Sequence, residues 1–218
     1  MNVKLISVTQ PYIDGIKNAE DLVAYCARVS NPCNQMNIDT APKLLSFLIK
    51  HKHWSPFEMV DMVLEIKTSR AVAAQILRHR SFSFQEFSQR YSVATEFEDI
   101  ELRMQGDKNR QVGETLMSIN NPAYENVTNL IAESISMAQH CYETMIKNGV
   151  AKEIARMILP LTTETTMYMK GSLRSWIHYI DLRTEKNTQK EHRIIADRCK
   201  NIFIKEFPTI SEALQWKT

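Results

Sequence analysis

The sequence predicts one α+β domain with more helix than strand, and three observations carry that reading. Val60, Met62, Leu64 and Ile66 alternate with Asp61, Val63, Glu65 and Lys67, the period-2 pattern of a strand with one buried face. Two long stretches, 122–148 and 188–207, have the length and spacing of helices, with a proline or an Asn-Gly pair to stop each. The 218 residues also run without an internal repeat, a low-complexity tract or a linker, a length that can bury one sizeable core.

Taken in order, Val3, Leu5 and Val8 suggest a first strand, and Leu22, Val23, Tyr25 and Cys26 suit a helix over 19–28 that Asn31-Pro32 ends. Thr40 is the expected N-cap of the next helix, with Pro42 in its first turn and Leu44, Leu45, Leu48 and Ile49 leading to His51. Trp54-Ser55-Pro56 breaks it. After the strand at 60–67, Ser69 can cap a helix with Val72, Ile76 and Leu77 inward, while Gln75 and Arg78 stand one turn apart and can meet one ligand. Phe87, Gln89, Tyr91 and Val93 alternate with Ser88, Arg90 and Ser92, so an extended segment is expected to place Ser88 and Arg90 on one side.

The polar stretch 96–121, with Gly106 and Gly113, reads as a long excursion holding one short helix. Pro122 opens the long helix through Val127, Leu130, Ile131, Ile135, Ala138, Tyr142 and Met145, and Asn148-Gly149 stops it. A helix over 150–158 is expected before Pro160, then a β-branched strand over 163–169. Gly171-Ser172 leads into a helix with Leu173, Trp176, Ile177 and Ile180 inward, and with Arg174, His178 and Asp181 on another face. The helix over 188–207 ends at Pro208, and a short helical turn through Leu214 and Trp216 closes the chain.

The 27 basic and 25 acidic side chains interleave to a formal charge of +2, which excludes a broad polyanion-binding field and makes a nucleic-acid partner unexpected. Met1-Asn2-Val3-Lys4-Leu5 lacks the apolar stretch of a secretory signal, and no run reaches the roughly 18 apolar residues of a membrane span. A soluble, cytoplasmic protein without a membrane partner is expected. Cys26, Cys33, Cys141 and Cys199 are scattered, without a C-x-x-C pair, as reduced thiols are. His51, His53 and Glu58 do not make an H-E-x-x-H spacing, so no metal is expected. His192 and Arg193 lie in a charged helix and are expected to be solvated.

Chemistry concentrates in the run from Arg78-His79-Arg80 to Ser88-Gln89-Arg90. At about 100° per residue, the triplet fans around a helix end and can reach two ligands, or two parts of a large one. Arginine forks suit phosphate and carbonyl pairs, and they recur at 78, 80 and 90 around Ser88. A bare triplet would by itself suit a solvated basic helix terminus. With Phe82, Phe84 and Phe87 it would also suit a nucleic-acid-binding patch, for which strongly salt-dependent binding is expected.

The spacing favours a third reading. Arg78-His79-Arg80, seven residues and then Ser88 resembles the R-H-R-x7-S signature of the flavin-dependent thymidylate synthases. His51-Lys52-His53-Trp54-Ser55-Pro56-Phe57-Glu58 looks like that family's H-x-S/T-x-x-E segment, Ala155-Arg156-Met157-Ile158-Leu159-Pro160 like its A-R-x-x-L-P turn, and Leu173 to Arg183 like its C-terminal helix. The resemblance spans nearly the whole chain and implies one domain, 1–218, with a central mostly antiparallel sheet and long helices. It implies FAD-dependent reductive methylation of dUMP to dTMP, with methylenetetrahydrofolate as carbon donor and NADPH as reductant, in a homotetramer with active sites at subunit interfaces.

Residue by residue, the resemblance assigns Gln75, Arg78, Glu86, Ser88, Gln89, Arg90 and Arg156 to dUMP, with Ser88 and Arg90 suited to its phosphate. Arg183 matches the catalytic arginine placed against the uracil ring, where a fixed positive charge stabilises developing negative charge. Ser55, Arg78, His79, Arg80, Glu86, Ser172, Arg174, His178 and Asn187 match FAD positions, and His53 matches a ring near flavin and folate. Ser172 and His178 stand where the family often has asparagine, and Asn187 where histidine is common. As a nucleophile Ser88 would need a base, and only Glu86 and His79 lie nearby in sequence, so a ligand-binding hydroxyl is favoured and the redox work falls to the flavin. No G-x-G-x-x-G turn is present, so NADPH would reach the flavin without a Rossmann domain.

Overall fold

The computed structural model describes residues 1–93, 96–107 and 113–216, and shows the expected α+β fold with an antiparallel sheet. Strands β1 (Asn2–Val8), β2 (Asp61–Ser69), β3 (Ser83–Glu86) and β6 (Glu164–Ser172) form a sheet in the order β1-β2-β6-β3, with every pairing antiparallel. The period-2 pattern of β2 sends Met62, Leu64 and Ile66 into the core, as Met167 and Met169 of β6 do beside them. Asp61, Lys67 and Lys170 decorate the opposite face, where Lys170 pairs with Asp61 at 2.7 Å and Lys67 with Glu164 at 2.8 Å.

Helices α1 (Ala19–Ala27), α2 (Ala41–Lys50), α3 (Arg70–Ile76), α6 (Leu173–Arg183), α7 (Lys190–Glu206) and α8 (Pro208–Ala213) build the apolar layer against the sheet. Val23, Leu45, Ile76, Trp176, Ile180, Ile195 and Phe203 meet there, all essentially without solvent exposure. The Trp176 indole donates to the Met62 carbonyl at 3.0 Å, which ties α6 to β2 and satisfies a donor that burial would otherwise penalise.

Several local expectations are corrected. Thr40 stands at the N-cap of α2 as expected but makes no capping bond, because its hydroxyl instead accepts from the buried Arg28 guanidinium at 2.8 Å. Ser69 has extended backbone before α3 but makes no capping side-chain bond, and Leu77 faces outward, Ala73 taking the inner position. The strand expected over 87–93 lies earlier, at 83–86. Residues 96–98 occupy the edge of β6 that would prolong the pairing, through Phe97 opposite Thr163, Glu98 N on Thr162 O and Glu164 N on Glu96 O. The chain therefore turns, with Tyr91 N and Ser92 N bonded back to Ser88 O, so Ser88 and Arg90 do not flank a strand.

The excursion over 96–121 contains a ribbon, β4 (Arg103–Gln105) with β5 (Gly113–Leu116), and no helix among its described residues; 108–112 lie outside them. The helix expected over 150–158 is a four-residue α5 (Lys152–Ala155) followed by a 3-10 turn, Arg156–Ile158. The closing helical turn falls at α8, ahead of Leu214 and Trp216. The long helix α4 (Tyr124–Lys147) stands largely clear of the core, with Tyr142 buried and Leu130 and Met137 exposed. The expectation of free thiols holds for Cys26, Cys33, Cys141 and Cys199.

One close approach positions the segment that carries the basic triplet. Phe82 lies over Gly171, where an added Cβ would come within 2.5 Å of the ring, and meets Trp176 edge-on at 4.9 Å between centroids. The absence of a side chain at 171 lets the chain between α3 and β3 sit directly on the start of α6.

Candidate active site

Because β2 and β6 run antiparallel, α3 and α6 leave the sheet at opposite ends. The Ser172 hydroxyl caps α6 by accepting from Ser175 N at 3.3 Å. Eleven residues make α6 about 16 Å long, and the assigned residues fall at its two ends and at a third place near α5.

At the start of α6, Glu58 holds the local geometry. It lies in a 3-10 turn, Ser55–Met59, that also carries Ser55. One carboxylate oxygen accepts from Arg174 Nη1 at 2.8 Å and the other from the Ser172 hydroxyl. Burial by itself would raise the Glu58 carboxyl, but the bonds from Ser172 and Arg174 bring it below the ordinary value, so it stays ionised. The exposed His178 ring meets Trp54 edge-on at 5.0 Å, and the exposed His53 meets Phe47 at 5.9 Å. Glu58 received no role from sequence, although it is the last residue of the H-x-S/T-x-x-E segment.

At the other end, Arg183 closes α6 and its Nε donates to His79 Nε2 at 2.9 Å. His79 therefore carries its proton on Nδ1 and acts as a neutral acceptor. Burial, then the charges of Arg183 and Arg78, push its pKa down to about 4. With Nε engaged, the two terminal nitrogens of Arg183 remain as a fork for a ligand. Arg78 and Arg80 lie just past α3, exposed, and none of Arg78, Arg80 and Arg183 forms an ion pair with a carboxylate among the described residues. Asn187, in the α6–α7 loop, lines a cleft of about 750 Å³ with Arg103, Lys190 and Arg193.

Gln75 belongs to this group through a residue that sequence reading misplaced. His192 was expected to be solvated, yet it is fully buried, with one ring nitrogen 3.2 Å from Gln75 Oε1 and the other 3.1 Å from the Tyr179 hydroxyl. The signal was its register, because His192, Ile195, Ala196, Cys199 and Phe203 form the inward stripe of α7. Charged neighbours at 190, 191 and 193 obscured it.

The third group gathers beyond β3. Glu86 accepts from the Thr165 hydroxyl at 2.9 Å and pairs with Arg70 at 3.2 Å. Arg90 pairs with Glu153 at 3.1 Å, and Arg156 Nε reaches the Glu153 carbonyl at 3.4 Å, so the arginines meet on α5. The Ser88 hydroxyl accepts from Arg90 N at 3.4 Å. Gln89 is buried and its Nε2 has no partner, which leaves a donor whose desolvation costs about 1–3 kcal/mol until an acceptor meets it.

The family model for the thymidylate synthase complementing protein matches residues 11–209. The chain is 52% identical over 219 residues to the probable flavin-dependent thymidylate synthase of Paramecium bursaria Chlorella virus 1, covering 99% of this chain and 100% of that one. It is 53% identical over 219 residues to the flavin-dependent thymidylate synthase of a Synechocystis strain, with the same coverage. A more distant relative from Thermus thermophilus bears the same name, at 32% identity over 188 residues, covering 85% of this chain and 68% of that one. In three dimensions the chain is similar to a UMP/dUMP methylase of Streptomyces cacaoi bound with 5-Br dUMP, at a TM-score of 0.82 and 24% identity, covering 98% of this chain and 94% of that one.

Proposed function

Since the chain belongs to the flavin-dependent thymidylate synthase family, we propose that it catalyses the reductive methylation of dUMP to dTMP with bound FAD, methylenetetrahydrofolate as carbon donor and NADPH as reductant. The observation that carries this reading is the arginine group where α3 and α6 end, which forms no ion pair with a carboxylate among the described residues. Arg183 and Arg78 act on the neutral His79 there and Arg80 follows it in the chain, an arrangement that suits anionic and carbonyl-rich ligands.

The residues fit both ligands in kind. Arg174 is half-exposed although one nitrogen is held by Glu58, so it can still reach a flavin phosphate, as can Arg78 and Arg80. The Ser172 hydroxyl is occupied by Ser175 N and Glu58, so it supports Arg174 from beneath. Ser55, His178, Asn187 and Glu86 complete the proposed FAD set, and His53 is proposed to contact folate. When bound, FAD supplies hydride chemistry. The chain's own groups bind and polarise: Ser88, Arg90 and Arg156 hold the dUMP phosphate, Gln75 and the unpartnered Gln89 donate to its oxygens, and the Arg183 fork stabilises charge on the pyrimidine.

A homotetramer and a cytoplasmic location are part of the proposal. No helix among the described residues is long and apolar enough to cross a membrane. The separation of the three groups within one chain, and the exposed Leu130 and Met137 on α4, favour sites completed by further copies. The purified protein is expected to show the oxidised-flavin absorption band, about one FAD per chain after denaturation, and the mass of four chains by light scattering. A colourless monomer that does not take up FAD would overturn the proposal.

A further inference from the structure

From the β4–β5 ribbon through Gln75 into the core runs a chain of hydrogen bonds whose polarity is set from one end. Arg103, which can only donate, reaches Glu191 at 2.6 Å. Glu191 is ionised: burial alone would raise its carboxyl, but the bonds from Gln189 and Arg103 carry it below the ordinary value. Being acceptor-only, it takes a hydrogen bond from Gln189 Nε2 at 2.9 Å, which turns the Gln189 carbonyl toward Gln75. Gln75 Nε2 donates to that carbonyl at 2.6 Å, so Gln75 Oε1 must face His192. His192 meets it with Nδ1–H, which leaves Nε2 as acceptor for the Tyr179 hydroxyl. Both ends are anchored, Arg103 on the β4–β5 ribbon and Tyr179 in the core, where it meets the His79 ring edge-on at 4.9 Å.

We infer that His192 is a positioning residue for nucleotide binding: it holds the Gln75 carbonyl inward, so that Gln75 presents its amide nitrogen, with one hydrogen on Gln189 and the second free, to an acceptor oxygen of dUMP. This rests on the assignment of Gln75 to dUMP made above. Without His192 only the bond to Gln189 holds the amide, so the carbonyl loses its inward anchor and the free amide hydrogen is no longer fixed toward the ligand. Burial of the ring, followed by the charges of Arg183 and His79, pushes the His192 pKa down to about 3, which keeps it in the neutral form that donates at one nitrogen and accepts at the other.

The test separates the two ring nitrogens. The amide of asparagine can reach the place of Nδ1, and that of glutamine the place of Nε2, so His192→Asn retains the bond to Gln75 and His192→Gln only that to Tyr179. Binding of dUMP is measured by calorimetry on the FAD-loaded protein, and turnover by the rate of dTMP formation. We expect His192→Gln and His192→Leu to weaken dUMP binding about tenfold, as loss of one hydrogen bond implies, with kcat within about twofold. His192→Asn should restore binding to within about twofold of the parent. Gln75→Leu should weaken binding by a similar factor, and adding His192→Leu to it should change nothing further. Equal affinities in the parent, His192→Asn and His192→Gln overturn the inference, as does equal weakening by the last two. Failure of the parent itself to bind dUMP would overturn the substrate assignment instead. If His192→Leu does not fold, the asparagine and glutamine pair still decides.

Discussion

Replacing Arg183 with alanine is expected to lower the rate of dTMP formation at saturating dUMP about a thousandfold, while FAD stays bound. Arg183 ends α6 with Nε held by His79, so its terminal nitrogens are oriented before any ligand arrives. A donor fixed in this way needs no reorganisation when negative charge develops on the pyrimidine. Its loss should therefore fall on kcat more than on dUMP affinity. Lysine at 183 keeps the charge but loses the fork and the Nε–H, and should recover only a small part of the rate. A second readout is independent of turnover. Removing Arg183 removes one of the charges that depress His79, so the His79 pKa should move up from about 4 toward its ordinary value, as followed by NMR titration. An alanine variant within about tenfold of the parent rate would remove Arg183 from the catalytic role.

The second large effect is loss of stability in mild acid. His79 and His192 are neutral in the fold, with pKa values pushed down to about 4 and about 3, burial being the first cause of each. In the unfolded chain each titrates near the ordinary value of about 6.5. Below that pH the unfolded state binds protons that the folded state refuses, so stability falls as pH drops from about 6.5 to the folded values. Each ring contributes on the order of 3 kcal/mol to the loss. Glu20 and Asp181, raised chiefly by burial, act in the opposite direction. The share of His192 is therefore read by difference: His192→Asn should show a flatter fall in urea-unfolding stability between pH 7 and pH 4 than the parent. Parallel curves for the two proteins would contradict the neutral buried ring.

What the sequence revealed depended on whether one element or several had to be read together. The strand at β2 was legible because alternation reports one buried face directly, and β6 and α6 followed from β-branched residues and from Gly171-Ser172 leading into an apolar-faced helix. The segment after Phe87 was not, because its alternation competes with the occupation of the β6 edge by residues 96–98, a contact across about 65 residues of chain. Thr40 takes the N-cap position but not the capping bond, since Arg28, 12 residues earlier, takes its hydroxyl. Within the site, motif spacing pointed to Arg78, His79, Ser88 and Arg183. It could not show that Arg183 rests on His79, nor that Glu58 links Ser172 and Arg174, because these contacts join elements about 100 residues apart. His192 was misread because charge around it hid its place in the inner stripe of α7.

The central claim is that this chain uses a flavin to put a methyl group on dUMP, and an anaerobic assay of tritium release from dUMP labelled at the methylated carbon tests it most directly. FAD, NADPH and methylenetetrahydrofolate are supplied together and then left out one at a time. Release with dTMP formation in the complete mixture, lost when any one of the three is omitted, is the result expected. A protein that binds FAD yet forms no dTMP in the complete mixture would contradict it.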